Sequence, residues 1–390
     1  MNRYPVPENR IHVFSRHLKE EDHNPEYPII YLTIGQPNEA SPASVAKGMR
    51  LESERQPCRY SEPEGRLDLR EAICEMLRRE GGIDCESSEV IATEGTRPLI
   101  GHLLKGLCGK DGFVTLAEPT WSGYVEEIAA LGLPYDIAPC GENCKMDPTK
   151  VINMKRKSLY NKDAIDTKAI ILNWPNNPSG ECARREDLEL ILESATKDGI
   201  GVILDLAYQR YAPMELQREI WGLIAEHKQD NLIPLFSFSK SLAICGLRAG
   251  CGLIRDKSLY SDVRGMCANE YTCPNVAGQS AVKYGLREIQ NFGEWLHQIY
   301  VSKREAFTSQ LRECRQIGVI PADGGMFQYL DLKKIGGNSE RFCNQLYHQY
   351  SVGLIPGKIF GRETCGWNSQ DHYVRVSLVQ DEDDLKEAAR

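Results

Sequence analysis

Leu232-Ile233-Pro234-Leu235-Phe236, followed at once by Ser237-Phe238-Ser239-Lys240 and then by Gly246-Leu247-Arg248, is the stretch around which the chain is organised. The apolar run reads as a strand, and a second strand is expected at Cys251-Gly252-Leu253-Ile254. A lysine delivered at the mouth of a buried strand is costly unless it is neutral or paired, because desolvation disfavours the ammonium form. A neutral lysine is a good nucleophile toward an aldehyde. Ser237, Ser239 and Arg248 add what a phosphate needs, hydroxyl donors and a guanidinium fork. The alternative is a surface lysine at a strand end with an unrelated arginine nearby, so other segments must decide.

Composition narrows the class. With 390 residues, 41% hydrophobic and 26% charged, the chain is globular and long enough for a large core and two domains. A formal net charge of −8 argues against a nucleic acid or an anionic membrane as partner, while leaving room for a local basic pocket. The 14 cysteines are scattered; the closest pair, Cys140 and Cys144, is not a CxxC, and no HExxH occurs. No metal site or disulfide scaffold is expected, and free thiols in a reducing cytosol are. Met1 to Phe14 lacks an uninterrupted apolar core and no run is long enough to span a bilayer, so the expectation is a cytoplasmic protein without a signal peptide.

Other segments carry chemistry in the same way, each at the end of an expected strand. Residues 1–28 read as a polar arm with a short helix around Ile11 to Leu18, and Ile29 to Ile34 as a strand closed by Gly35-Gln36-Pro37-Asn38. Tyr60 precedes an amphipathic helix with Leu69, Ile73, Met76 and Leu77 on one face, stopped by Gly81-Gly82. Val90 to Thr93 leads to Gly95-Thr96-Arg97-Pro98, where a helix opens; its free amides and dipole make a phosphate cradle. Val114 to Ala117 leads to Pro119-Thr120-Trp121, a large flat face that is either core or stacking platform. Ala169 to Leu172 leads to Pro175-Asn176-Asn177-Pro178-Ser179-Gly180, and Gly201 to Leu204 to Asp205-Leu206-Ala207-Tyr208. Arg375 lies within an alternating strand, Tyr373 to Leu378, either facing solvent or forking a carboxylate.

The order of these segments resembles that of class I/II aminotransferases, the aspartate-aminotransferase-like branch of the fold-type-I enzymes that depend on pyridoxal 5'-phosphate (PLP). Pro-Asn-Asn-Pro-Ser-Gly is the most specific match. The resemblance implies that Lys240 holds PLP as a Schiff base and moves the substrate Cα proton. It implies that Asp205 meets the pyridine nitrogen, that Tyr208 and Asn177 hold the 3-oxygen, and that Trp121 stacks on the ring. Gly95, Thr96, Arg97, Ser237, Ser239 and Arg248 would surround the phosphate, joined by Tyr60 from a partner subunit. Gly35, Asn177 and Arg375 fall on the substrate side, with Arg375 taking the α-carboxylate. Gln36 and Asn38 depart from the family's Gly-Glu-Pro-Asp turn.

Strands alternating with helices imply an α/β sheet covered on both faces. The resemblance makes this a fold-type-I transferase with a large, mostly parallel sheet and a smaller α+β domain. The expected boundaries are 1–40 for the arm and part of the small domain, 41–275 for the large PLP-binding domain and 276–390 for the small domain. The implied reaction is amino transfer between an amino acid and a 2-oxo acid, in a homodimer with shared sites. The alternatives are a PLP-dependent lyase or cyclase, capreomycidine synthase-like, and a catalytically silent regulator, which the intact Lys240 disfavours. Gly106-x-x-Gly109-x-x-Gly112 and Gly353-x-x-x-Gly357-Lys358 lack the spacings of dinucleotide and P-loop sites.

Overall fold

The structure, a computed structural model, describes residues 8–55, 58–154, 167–364 and 367–390; residues 1–7 of the expected arm lie outside that set. β1 (Ile30–Tyr31) belongs to the arm. The next seven strands are β2 (Val90–Thr93), β3 (Phe113–Ala117), β4 (Tyr135–Ala138), β5 (Thr167–Asn173), β6 (Gly201–Asp205), β7 (Leu232–Ser237) and β8 (Gly250–Leu253). They form one sheet in the order β2-β8-β7-β6-β5-β3-β4. The block from β4 to β7 is parallel throughout, and β8 is antiparallel to both neighbours. This is the expected mostly parallel α/β sheet.

The strand residues are apolar on both faces because both faces are covered. Val202 and Leu204 point into one core, against Ile73 and Leu77 of the helix Leu67–Gly81 and Ile220 and Ile224 of Met214–Glu226. Ile203 between them points into the other, against Leu99 and Leu103 of Thr96–Cys108 and Val263 of Lys257–Tyr271. That is the period-two alternation of a strand, apolar at every position. Each such side chain, fully buried, contributes about 1.5–3 kcal/mol. Glu80 and Arg210 form a buried ion pair that ties the turn after Tyr208 to the first helix layer.

A second core surrounds a smaller sheet. The strands of that sheet and of two neighbouring strand pairs are β9 (Gly318–Val319), β10 (Phe327–Asp331), β11 (Val352–Gly353), β12 (Ile355–Pro356), β13 (Glu363–Thr364), β14 (Trp367–Asn368) and β15 (Tyr373–Ser377). β12-β15-β10-β9 is antiparallel, β13 pairs with β14, and β1 joins β11 in parallel. Ile11, Phe14 and Leu18 of the arm helix Arg10–Glu20 are buried in this core. The strand expected over residues 29–34 shrinks to Ile30–Tyr31. Beyond it, the carbonyls of Leu32, Thr33 and Ile34 accept from Ser377 N, the Arg375 guanidinium and Ser377 Oγ instead of from a ladder. The helix Val276–Gly285, at the start of the segment expected as the small domain, gives Ala281 and Val282 to the core of the large sheet. Among the described residues no helix is long and apolar enough to cross a membrane.

Candidate active site

A cavity of about 340 Å³ opens at the C-terminal ends of the parallel strands, beside the point where the order reverses between β3 and β5. Open α/β sheets bind ligands at such a switch point. Each strand end supplies part of the wall: Thr96 and Arg97 after β2, Trp121 after β3, Asn173 and Asn177 at β5, Asp205 and Tyr208 at β6, and Ser237, Ser239 and Lys240 at β7. Gly35, Phe327 and Arg375 close it from the second core.

Lys240 lies in the single helical turn Phe238–Ser241 that starts where β7 ends. Its carbonyl accepts from Tyr211 Oη at 3.0 Å. Its Nζ donates to the Gly35 carbonyl at 2.5 Å and lies 3.5 Å from Cys245 Sγ. Gly35 has to be glycine here, since a Cβ would sit 2.4 Å from the Phe327 ring. Burial pulls the Lys240 pKa below the ordinary lysine value; Cys245 opposes this, and Arg248 and Arg375 add to it. Burial thus shifts the balance toward the uncharged amine.

Asp205 ends β6 and is buried. Among the described residues no cationic side chain pairs with it. Oδ2 instead accepts the Tyr124 hydroxyl at 2.6 Å, and Oδ1 accepts the Ala207 amide at 3.0 Å. Desolvation raises its pKa, and those two hydrogen bonds pull it back. A buried carboxylate with no counter-charge suits a cationic group supplied from the cavity. The protonated nitrogen of a pyridine ring is such a group.

At the other end of the cavity Arg248 takes a left-handed backbone, φ 52°, a conformation that costs a non-glycine residue roughly 1–2 kcal/mol. Its Nη1 reaches Ser239 Oγ at 3.4 Å and the Cys245 carbonyl at 3.1 Å, and among the described residues no carboxylate pairs with it. Gly95 makes room for it: a Cβ there would lie 2.6 Å from Arg248 Nη2. Gly250 likewise lets β8 pass the Thr96 amide, which a Cβ would approach to 2.8 Å. An unpaired guanidinium, two serines and a helix N-terminus fit a phosphate.

Arg375, in the middle of β15, is 1% exposed. Nη1 donates to Asn177 Oδ1 at 3.0 Å, Nη2 donates to the Thr33 carbonyl, and Nε has no partner among the described residues. The Phe327 and Phe360 rings lie 4.4 and 5.0 Å from its Cζ. Burial lowers its pKa to about 10, with Tyr208 and Tyr329 opposing. Asn177 in turn donates to Tyr208 Oη at 3.3 Å, and its amide is held by Asn173 Oδ1 at 2.8 Å. Among the described residues no acid pairs with this buried arginine, and its guanidinium fork beside an asparagine and a tyrosine would suit a carboxylate.

Of the residues singled out in the sequence, Gly35, Thr96, Arg97, Trp121, Asn177, Asp205, Tyr208, Ser237, Ser239, Lys240, Arg248 and Arg375 line this cavity, and Gly95 backs Arg248. Arg97 stands at the rim, paired with Glu126 and Glu127 and 5.7 Å from the Trp121 ring. Tyr60 is 84% exposed and is not part of the wall. Gln36 also lines it, whereas Asn38 donates to the Val379 carbonyl at 3.1 Å. Sequence reasoning missed Tyr124, whose signal was its place one helical turn after Trp121. It also missed Asn9 and His12: Asn9 Nδ2 and Arg10 N donate to Glu126 at 2.8 and 2.6 Å, bringing the arm over the cleft.

Comparison with known proteins places the chain in a family. Residues 27–390 match the family model described as aminotransferase class I and II. The aspartate aminotransferase of Thermotoga maritima is 24% identical over 92% of this chain and 89% of its own. Aromatic-amino-acid aminotransferase 2 of Thermococcus litoralis is 26% identical over 92% and 90%. A crystal structure of an aminotransferase from Mycobacterium tuberculosis superposes with a TM-score of 0.85 at 22% identity, covering 100% of this chain and 98% of that one. The chain belongs to the class I and II aminotransferase family, the fold-type-I branch of PLP-dependent enzymes.

Proposed function

We propose that the cleft binds PLP on Lys240 and moves an amino group between an amino acid and a 2-oxo acid. The observation that supports this best is a single cavity holding a lysine amine, a buried carboxylate and a guanidinium, the last two without opposite charges. Bound PLP supplies an electron sink for the bond broken at the substrate Cα. Asp205, steadied by Tyr124, holds the proton on the ring nitrogen. Trp121 offers its face to the ring, and Tyr208 and Asn177 hold the 3-oxygen. Arg248, Ser237, Ser239 and the Gly95-Thr96 turn receive the phosphate, with Arg97 at the rim.

Arg375 and Asn177 orient the substrate α-carboxylate, and the Gly35 turn borders it. Lys240, whose pKa burial lowers, takes the Cα proton as general base. Trp121, Phe327 and the arm residues Ile11 and His12 border the same cavity. We propose that the working unit is a homodimer in which the exposed Tyr60 completes the phosphate site of the partner subunit.

The test is a single-turnover screen of amino acids against the PLP-loaded protein with no 2-oxo acid present. Stoichiometric pyridoxamine phosphate together with a 2-oxo acid is expected. Sustained turnover that expels a leaving group, with no pyridoxamine form, would contradict amino transfer and favour elimination or cyclisation.

A further inference from the structure

The loop that follows β4 carries the closest cysteine pair in the chain, and the cleft chemistry leaves it unused. Gly141 N donates to the Lys145 carbonyl at 2.7 Å, and Asn143 and Cys144 take φ values of 54° and 58°. This left-handed turn folds the loop back, so that both thiols meet one carboxamide. Gln370 Nε2 lies 3.6 Å from Cys140 Sγ, and Gln370 Oε1 lies 3.9 Å from Cys144 Sγ. The two thiols differ in access. Cys140 is half-buried and lines an open cavity of about 570 Å³ with Lys150 and Lys333, while Cys144 is 1% exposed. The Cys140 thiol, within hydrogen-bonding reach, and burial both push the Cys144 pKa up.

We propose that Cys140 and Cys144 are a reversible dithiol–disulfide site, oxidised by small-molecule disulfides that enter by the Cys140 cavity. In the first step the Cys140 sulfur, giving up its proton, attacks one sulfur of the external disulfide. A mixed disulfide forms and one thiol leaves. In the second, Cys144 attacks the Cys140 sulfur, its proton passes to the departing sulfur, and a second thiol leaves. Two protein thiols lose two electrons and the external disulfide gains them. Closing the bond brings the sulfurs to about 2.0 Å. With its hydrogen gone, Cys144 no longer donates to Gln370 Oε1. The loop also meets Glu118, which accepts from Cys140 N at 3.4 Å and from Arg362 N at 3.0 Å, so the site lies on the seam between the two cores.

Other pairs are less suited. Cys74 and Cys85 also interact, but both are buried, with 6% exposure each.

The sequence offers a clean assay, because the tryptic peptide 111–145 contains Cys140 and Cys144 and no other cysteine. The folded, PLP-loaded protein is treated with glutathione disulfide, alkylated after unfolding, digested and weighed. The expected peptide is lighter by two hydrogens and unalkylated, and dithiothreitol restores two alkylatable thiols. In Cys144→Ser, Cys140 should retain one glutathionyl group. A wild-type peptide with two alkylated cysteines, while the exposed Cys58 has been glutathionylated, would overturn the proposal. So would a wild-type mixed disulfide on Cys140 that never closes.

Discussion

The Tyr124 hydroxyl donates to Asp205 Oδ2 at 2.6 Å in the floor of the cleft, where both groups are buried. Tyr124 thereby opposes the desolvation that raises the carboxyl pKa. Hydrogen bonds to charged groups are worth about 1.5–3 kcal/mol. Tyr124→Phe should lower kcat/KM by roughly tenfold or more. The sign of the pH effect follows: removing a contact that lowers the Asp205 pKa raises it, so the acid limb of the kcat/KM profile should move to higher pH. An unshifted limb would mean that Asp205 is held charged by something other than Tyr124.

Arg375 and Asn177 test the substrate side. Truncating a buried charge that meets its partner costs about 3–5 kcal/mol. Arg375→Leu should therefore reduce kcat/KM by roughly two to three orders of magnitude, mainly through KM for the amino acid. Arg375→Lys keeps the charge but loses the fork, and should recover only part of the loss. Steady-state kinetics with both substrates checks this; an unchanged KM would place the carboxylate elsewhere.

Six strands of the large sheet were legible in the sequence because they are largely apolar and end in small or polar turns; β4 was not, because Asp136 interrupts its four residues. Ile170 to Leu172 before Asn173 and Val202 to Leu204 before Asp205 show the pattern, and it locates strand ends and cavity walls together. The arm strand failed because Leu32 to Ile34 look like any apolar run; their carbonyls are taken by Arg375 and Ser377, more than 340 residues away. Asp205 was legible as a buried acid, but its partner was not. Tyr124 reaches it from the helix after β3, a contact set by sheet order and not by local pattern. The docking of Asn9 on Glu126 was hidden for the same reason.

Lys240 yields a prediction about pH. Its pKa is lowered by burial, so the reactive amine is present at lower pH than for an exposed lysine. The rate at which cofactor-free protein takes up PLP should rise with pH, with a midpoint below the usual lysine value of about 10.4. Stopped-flow absorbance measures it. A midpoint at or above that value would show an exposed or acid-paired lysine.

Tyr60 bears on assembly. Light scattering should report twice the chain mass. Mixing Tyr60→Phe subunits with Lys240→Ala subunits should restore activity above that of either parent, since one site of each hybrid carries neither lesion. A fully active monomer would contradict shared sites.

The most direct measurement is borohydride reduction of the PLP-loaded protein followed by peptide mass spectrometry. Lys240, with Nζ in the cleft near Cys245 and Arg248 beyond it, should carry the pyridoxyl group, and Lys240→Ala should carry none. A pyridoxyl group on another lysine, or none in PLP-saturated wild-type protein, would contradict the account.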